Sequence, residues 1–359
     1  MRSFGLWYKK NVENAGNPVF SVHMNFWSES MKKGESNPSL DIGIKVKNFE
    51  KVKEIVFHCP FVFSEDQMVD LASKLKSVKN ANLIFNTDGK IEEKELHSIY
   101  LLKREKQEET ILLLPLKKET ASFHLKYELN VDDEKSDIKF DFTEFNDHIN
   151  SLKKKNDIRE VDEVYIRFRI TSDSLKDRIY FDTEPSNKSF ESAFTGTRVF
   201  DFKINEKRNL GSNTISVLDK DNYEFPQIDV IHLLLMEPSS YDLEAFANPQ
   251  MTCRELEGEL WKDYFENEID YSNGKILAYH WKFENKDSCS CLIKVKYSKT
   301  DKKIIISYVF IVLALGILGS AFVSMVQYLY KDFLFFFCLI SYGIAVVLFG
   351  FGLILGNKK

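Results

Sequence analysis

Two segments near the end of this 359-residue chain limit what it can fold into. Residues 304–327 and 333–357 contain no charged side chain. Only Lys331 and Asp332, in the stretch QYLYKDFLFFF, interrupt an apolar run of about fifty residues. At a rise of about 1.5 Å per residue, each segment makes a helix of about 36 Å, enough to cross a hydrocarbon core about 30 Å thick. Soluble cores rarely hold two such uniform helices in tandem. The pattern therefore predicts a transmembrane helical hairpin over 304–356, with Lys331 and Asp332 at its turn.

Lysine placement sets the expected orientation. Lys294, Lys296, Lys299, Lys302 and Lys303 precede the first segment, and Lys358 and Lys359 follow the second. The turn balances one lysine with one aspartate. Positive flanks stay in the cytoplasm. Both termini and the large N-terminal region are thus expected on the cytoplasmic side of a bacterial inner membrane, with the lipid bilayer as a partner. Tyr328, Tyr330 and Phe333 suit the far interface as an aromatic belt. The run KVKYSKTDKK also suits contact with anionic lipid. The start, MRSFGLWYKKN, lacks the continuous apolar core of a secretory signal. The five cysteines, Cys59, Cys253, Cys289, Cys291 and Cys338, are accordingly expected to be reduced thiols.

On the first segment, Gly316, Ser320 and Ser324 recur every four residues, and Gln327 follows three later. These positions share one helical face. Such a face suits close helix packing, within the hairpin or between copies. It equally suits the weakly polar lining of a pore. Two helices from one copy cannot enclose water, so a pore requires a homo-oligomer.

The front of the chain is hydrophilic and globular in composition. The chain carries a formal charge of −5; the tail's three lysines and one aspartate leave about −7 for the front. A basic footprint for non-specific nucleic-acid binding is excluded, a local basic pocket is not. Alternation of period two dominates. It predicts strands over Val19–Trp27, 40–47, 53–63, 161–171, 198–204, 228–236, 276–283 and 291–297, with 111–116 and 121–129 as a hairpin pair. Helices are expected after capping boxes at Ser64-x-x-Gln67 and Thr252-x-x-Glu255, and from Thr143 to Lys154. The expected fold class is mainly β with a few helices, a β-sandwich-like cytosolic region plus the C-terminal two-helix hairpin. The charged run SLKKKNDIRE suggests a boundary, giving β-rich subdomains over 1–155 and 156–300, the second with a helix near 252–268.

Candidate chemistry is sparse. Tyr165, Arg167 and Arg169 lie on one face of a strand, opposite Val164, Ile166, Phe168 and Ile170. Two guanidiniums beside an aromatic ring can clamp a phosphate and stack a base; the same pattern also describes the solvated face of a half-buried strand. Lys45 and Lys47 repeat the spacing without an aromatic partner. Arg198, Lys203, Lys207 and Arg208 read as surface. Cys289-Ser-Cys291 lacks the further ligands a structural zinc needs, and His280 upstream adds nothing decisive. His58 and Cys59 sit in an apolar run and read as core, and His232 as a histidine near the core. No catalytic, metal or cofactor motif occurs: there is no P-loop, GxGxxG, HExxH or GxSxG.

A β-rich front of about three hundred residues, the early stretch LDIGIKVKNFEKVKEIVFHCPF and two C-terminal spans resemble bacterial anti-phage membrane effectors, most of all the membrane effector of the Hailong system. The resemblance rests on layout, covers the whole chain and carries over no functional residue. It implies an oligomeric channel controlled by a nucleotide-derived oligomer. The expected function is thus an oligomeric effector, an ion channel or membrane-disrupting protein that senses a nucleotide or short oligonucleotide. The alternative is a non-enzymatic, membrane-anchored scaffold for a cytosolic partner.

Overall fold

The computed structural model describes residues 2–11, 16–28, 37–86, 89–93, 100–104, 107–116, 124–154, 161, 163–183, 195–211, 214–215, 218, 220–245, 251–256, 258–265, 275–298, 302–328 and 335–357. The expected turn at Lys331 and Asp332 and much of the SLKKKNDIRE run lie outside the described residues. Contacts divide the chain into two compact units, Met1–Phe181 with Val199–Val295, and Asp182–Arg198 with Lys296–Lys359.

Strands dominate the first unit, as alternation predicts. A ten-stranded sheet runs in the order Met251–Glu255, Ile276–Glu284, Gln227–Pro238, Val19–Trp27, Ser39–Lys47, Glu163–Thr171, Gln107–Leu114, Tyr100–Arg104, Gly89–Glu93, and Met68–Asp70 also pairs with Glu163–Thr171. Two neighbours are parallel: Gln227–Pro238 beside Val19–Trp27, and Gln107–Leu114 beside Glu163–Thr171. Strands from both sides of residue 155 therefore interleave in one sheet. A five-stranded sheet is ordered Tyr223–Glu224, Gly5–Lys10, Val52–Cys59, Ser136–Asp141, Lys126–Val131. A third sheet has four strands.

One phase of each central strand is apolar and enters the main core. Val22, Met24 and Phe26 do so from one strand, Ile42 and Ile44 from the next, and Ile166 and Phe168 from the third. Phe57 and Phe140 of the five-stranded sheet meet Phe168 with ring centroids 6.1 and 5.9 Å apart. This is sheet-on-sheet packing, each large side chain contributing about 1.5–3 kcal/mol on burial.

Three local expectations are corrected. Segments 111–116 and 121–129 do not form a hairpin: Gln107–Leu114 lies in the ten-stranded sheet and Lys126–Val131 in the five-stranded one. The Ser64 backbone N–H does donate to Gln67 Oε1 at 2.9 Å, yet it caps only the 3₁₀ turn Glu65–Gln67. The chain then joins the sheet as Met68–Asp70, and the α-helix begins later, at Val78–Phe85. Pairing with Glu163–Thr171 outweighs the helical spacing of Met68, Leu71 and Leu75. Thr252 caps nothing, because Met251–Glu255 is an edge strand and the helix occupies Gly258–Phe265. The helix Thr143–Lys154 forms where expected.

The second unit carries the C-terminal helices, Lys302–Tyr328 and Phe335–Asn357. Within the first, Ile305–Gln327 is long and apolar enough to cross a membrane. In the second, the described apolar segment is shorter, Leu339–Gly352. The helices pack on each other through Ser307, Phe310, Ile311, Gly352 and Phe351. Ser307 Oγ donates to the Gly352 carbonyl, and the Phe310 and Phe351 rings meet edge-on at 6.1 Å. A Cβ on Gly352 would sit 3.0 Å from Ile311 and 3.1 Å from the Ser307 carbonyl, so a larger residue there would have to push the helices apart by a few tenths of an ångström.

Candidate functional site

The polar phase of the central strands builds the site. Register places His23 beside both Gly43 and His232, and Gly43 beside Arg167. The opposite phase faces the core, so these side chains line up on the other face. That face is not solvated. The helices Val78–Phe85 and Gly258–Phe265 cover part of it, through Phe85, Trp261 and Tyr264. Tyr165, Arg167 and Arg169 are consequently buried, at 1%, 1% and 7% exposure. This corrects the expectation of a solvated strand face and brings all three residues together.

A buried network explains how the strand tolerates two guanidiniums. Arg169 makes a bidentate pair with Asp41, at 2.5 and 2.9 Å. Arg167 Nε donates to Tyr264 Oη at 2.7 Å, Arg167 Nη1 donates to Tyr165 Oη at 2.8 Å, and Tyr264 Oη donates to Asp41 at 2.7 Å. Trp27 Nε1 donates to the same carboxylate at 3.0 Å. Burial alone would raise the Asp41 carboxyl, but Arg169, Arg167 and the Tyr264 hydroxyl outweigh it and hold it below its ordinary value. Burial pushes the Tyr165 phenol up against the pull of Arg167. Gly43 makes room for this ring, since a Cβ there would fall 2.0 Å from Tyr165 Oη.

One carboxylate thus serves two guanidiniums. Arg167 Nη2 lies 3.6 Å from Asp41 Oδ2 and makes no hydrogen bond among the described residues. Arg167 also lines a cavity of ≈ 490 Å³ between the sheet and its covering helices. Lys45, Arg254 and Lys282 add cations to the lining, against the single carboxylate Asp229. Trp261 adds an aromatic side chain to the lining, and Asn25, whose Oδ1 is buried without a partner among the described residues, a polar one. The volume suits a small ligand.

Three histidines share the wall. His232 Nδ1 and His280 Nε2 are 2.8 Å apart, and the His23 and His232 rings meet edge-on at 4.8 Å. His23 Nδ1 lies 3.2 Å from Tyr165 Oη. Burial, then His280 and Lys282, lowers His232 to about 4. Burial, then His232 and Arg167, takes His23 well below its ordinary value. Burial, Arg254 and Lys282 lower His280.

Other candidate residues fall elsewhere. Lys45 and Lys47 both pair with the buried Glu163, at 2.8 and 3.0 Å. Arg198 is buried and pairs with Asp182 at 2.8 Å, contrary to a surface reading. Lys203 pairs with Asp201 at 2.5 Å, Arg208 with Glu206 at 2.9 Å, and the Lys207 ammonium sits 5.0 Å from the Phe225 ring centre. Cys289 and Cys291 are core thiols pushed up by burial, Cys291 to about 12. His58 is buried, with Nδ1 2.6 Å from Asp137, and Cys59 is buried beside it. Of the tail residues, Gly316, Ser320 and Gln327 are exposed and Ser324 half-buried. Among the described residues nothing lies within 4 Å of where a Gly316 Cβ would sit, so the described helix contact runs along a different face.

Sequence reasoning passed over Asp41, His23, Tyr264 and Trp261. The available signal was Asp41, a charge in the polar phase of an otherwise apolar strand. No family model and no curated protein matches the chain. Among solved structures, it is similar to the Fcho1 Mu homology domain from Danio rerio with bound Eps15 peptide, at 8% identity over 79% of this chain and 78% of that chain. The TM-score of 0.15 corresponds to no shared backbone course, and nothing is carried over from that protein.

Proposed function

We propose that this chain is an oligomeric membrane effector of bacterial anti-phage defence, a ligand-controlled ion channel or membrane-disrupting protein. Its front region senses an anionic, nucleotide-derived ligand in the covered cavity. The observation that carries the ligand class is Arg167: its guanidinium is buried, shares one carboxylate with Arg169, and belongs to the lining of a cavity that holds further cations. Such a group gains most from an oxyanion. Trp261 puts an aromatic side chain in the same lining, the residue type on which bases stack. The membrane part is supported by Ile305–Gln327 and by the outward Gly316, Ser320 and Gln327, a face left available for contact between copies. Gating requires that ligand bind the closed and open states unequally.

Full-length protein in detergent is titrated with mononucleotides and short oligonucleotides. Arg254→Gln with Lys282→Gln, at the cavity rim, is expected to lower affinity at least tenfold while the fold persists. Unchanged affinity removes the cavity as the site. In liposomes, Gly316→Leu or Ser320→Leu is expected to abolish ion flux, and wild-type flux in both removes the pore. Function retained after exchanging the hairpin for an unrelated anchor of equal topology points to a scaffold.

A further inference from the structure

We infer that the cavity takes up a proton together with its anion: a doubly charged oxyanion binds with protonation of the His23–His232–His280 row. The inference rests on the reading of the cavity as an anion site and adds how that site is regulated. The geometry is a row of imidazoles on three adjacent strands. His232 is the parallel register partner of His23, and His280 opposes Leu234, two residues along from His232. The His232–His280 rings are stacked with centroids 5.1 Å apart, and their facing nitrogens share one proton across 2.8 Å. A second proton makes one ring an imidazolium and spreads its charge along the row.

The surroundings decide when that proton is held. Lys45 faces the row from the Ser39–Lys47 strand, and Arg167 and the Tyr165 hydroxyl from the next. From the sheet edge come Arg254, Cys253 and Lys282. The nearby carboxylates are Asp229, on the His232 strand, and Glu284, Glu163 and Asp41, which already pair with Lys282, Lys45 and Arg167. The covering helices contribute Phe85 and Trp261 to the lining and no titratable group among the described residues. Cations therefore prevail and the empty row stays neutral, consistent with the depressed titration of all three rings. A bound oxyanion reverses the local field. One negative charge about 4 Å from an imidazole, at an effective dielectric of about 20, raises its titration by about three pH units. For His232 that moves the midpoint from about 4 to near neutrality.

Sulfate is the probe, because it stays dianionic throughout the range used and contributes no proton of its own. Full-length protein in detergent is titrated calorimetrically with sodium sulfate between pH 6 and 7.5, in two buffers of different ionisation enthalpy. The expected result is net uptake approaching one proton and affinity up to tenfold tighter per pH unit lowered. His232→Gln with His280→Gln is expected to keep sulfate binding and flatten both dependences, its fold checked by thermal unfolding. Sulfate binding in the native chain with no proton uptake and no pH slope overturns the inference and leaves the anion site standing. A slope undiminished in the folded double variant overturns it as well. No sulfate binding at any pH in the range removes the anion site and the inference together.

Discussion

The front unit and the C-terminal helices use the same apolar side chains to opposite ends. In the front unit, phenylalanines such as Phe20, Phe26 and Phe57 are fully buried. In the helices, Val312, Phe322 and Val347 are 66%, 68% and 67% exposed. The front unit places its polar residues inward as well, with Asp41, Arg167 and Glu163 at 0–1% exposure. The presence of large apolar side chains alone does not distinguish the two regions. What differs is the surroundings: aromatic side chains and buried counter-charges in one, and many exposed apolar side chains among the described residues of the other. An apolar exterior on this scale suits lipid, and Ile305–Gln327 is long and apolar enough to cross a membrane.

The largest way to break this contrast is to remove the central carboxylate. Asp41→Ala leaves Arg167 and Arg169 buried without their counter-charge, and the expected loss is about 3–5 kcal/mol in chemical denaturation of the front unit. Phe322→Leu, on the exposed helix face, is expected to change unfolding in detergent by less than about 0.5 kcal/mol. Similar costs for the two would dissolve the distinction.

Acid is the next probe. His23, His232 and His280 titrate below their ordinary value in the fold. The unfolded chain then binds protons near pH 6.5 that the fold refuses. Stability is full above that pH and falls as pH drops from 6.5 toward 4, with His232 contributing on the order of 3 kcal/mol. Thermal midpoints of wild type and His232→Gln across this window read the effect; parallel curves for the two would refute it.

Two glycines sharpen the comparison further. Gly43→Ala drives a methyl into the Tyr165 ring and is expected to cost about 1–3 kcal/mol in the front unit. Gly352→Leu is expected to loosen the helix pair, seen as faster cross-linking loss between cysteines placed on the two helices. Gly316→Leu, with open space around it, should leave that pairing unchanged. Equal effects from the two tail glycines would mean that the helices meet on another face.

Much of the fold was legible because alternation of period two is a local property. Val19–Trp27 forms where the pattern puts it, and Glu163–Thr171, Gln227–Pro238 and Ile276–Glu284 shift by a residue or two. The site was legible only in part. Tyr165, Arg167 and Arg169 share a face, as their spacing requires. Alternation, however, does not say whether a polar face meets water or a covering helix, and the cover arrives about a hundred residues downstream, at Gly258–Phe265. Convergence of His23, His232 and His280 depends on a parallel register between strands about two hundred residues apart. Local pattern carries no such information. The Ser64 capping box forms, but neither box opens the expected α-helix, since strand pairing overrode the local helical signal at both places.

That parallel pair has a consequence during synthesis. One long edge of Val19–Trp27 has no neighbour until Gln227–Pro238 leaves the ribosome. At about 5–20 residues per second, the gap lasts roughly 10–40 s. For that time a nascent strand rich in Phe, Val and Trp presents unpaired amides to any passing chain. The chaperone demand of this protein should therefore peak before its greasy tail is even made.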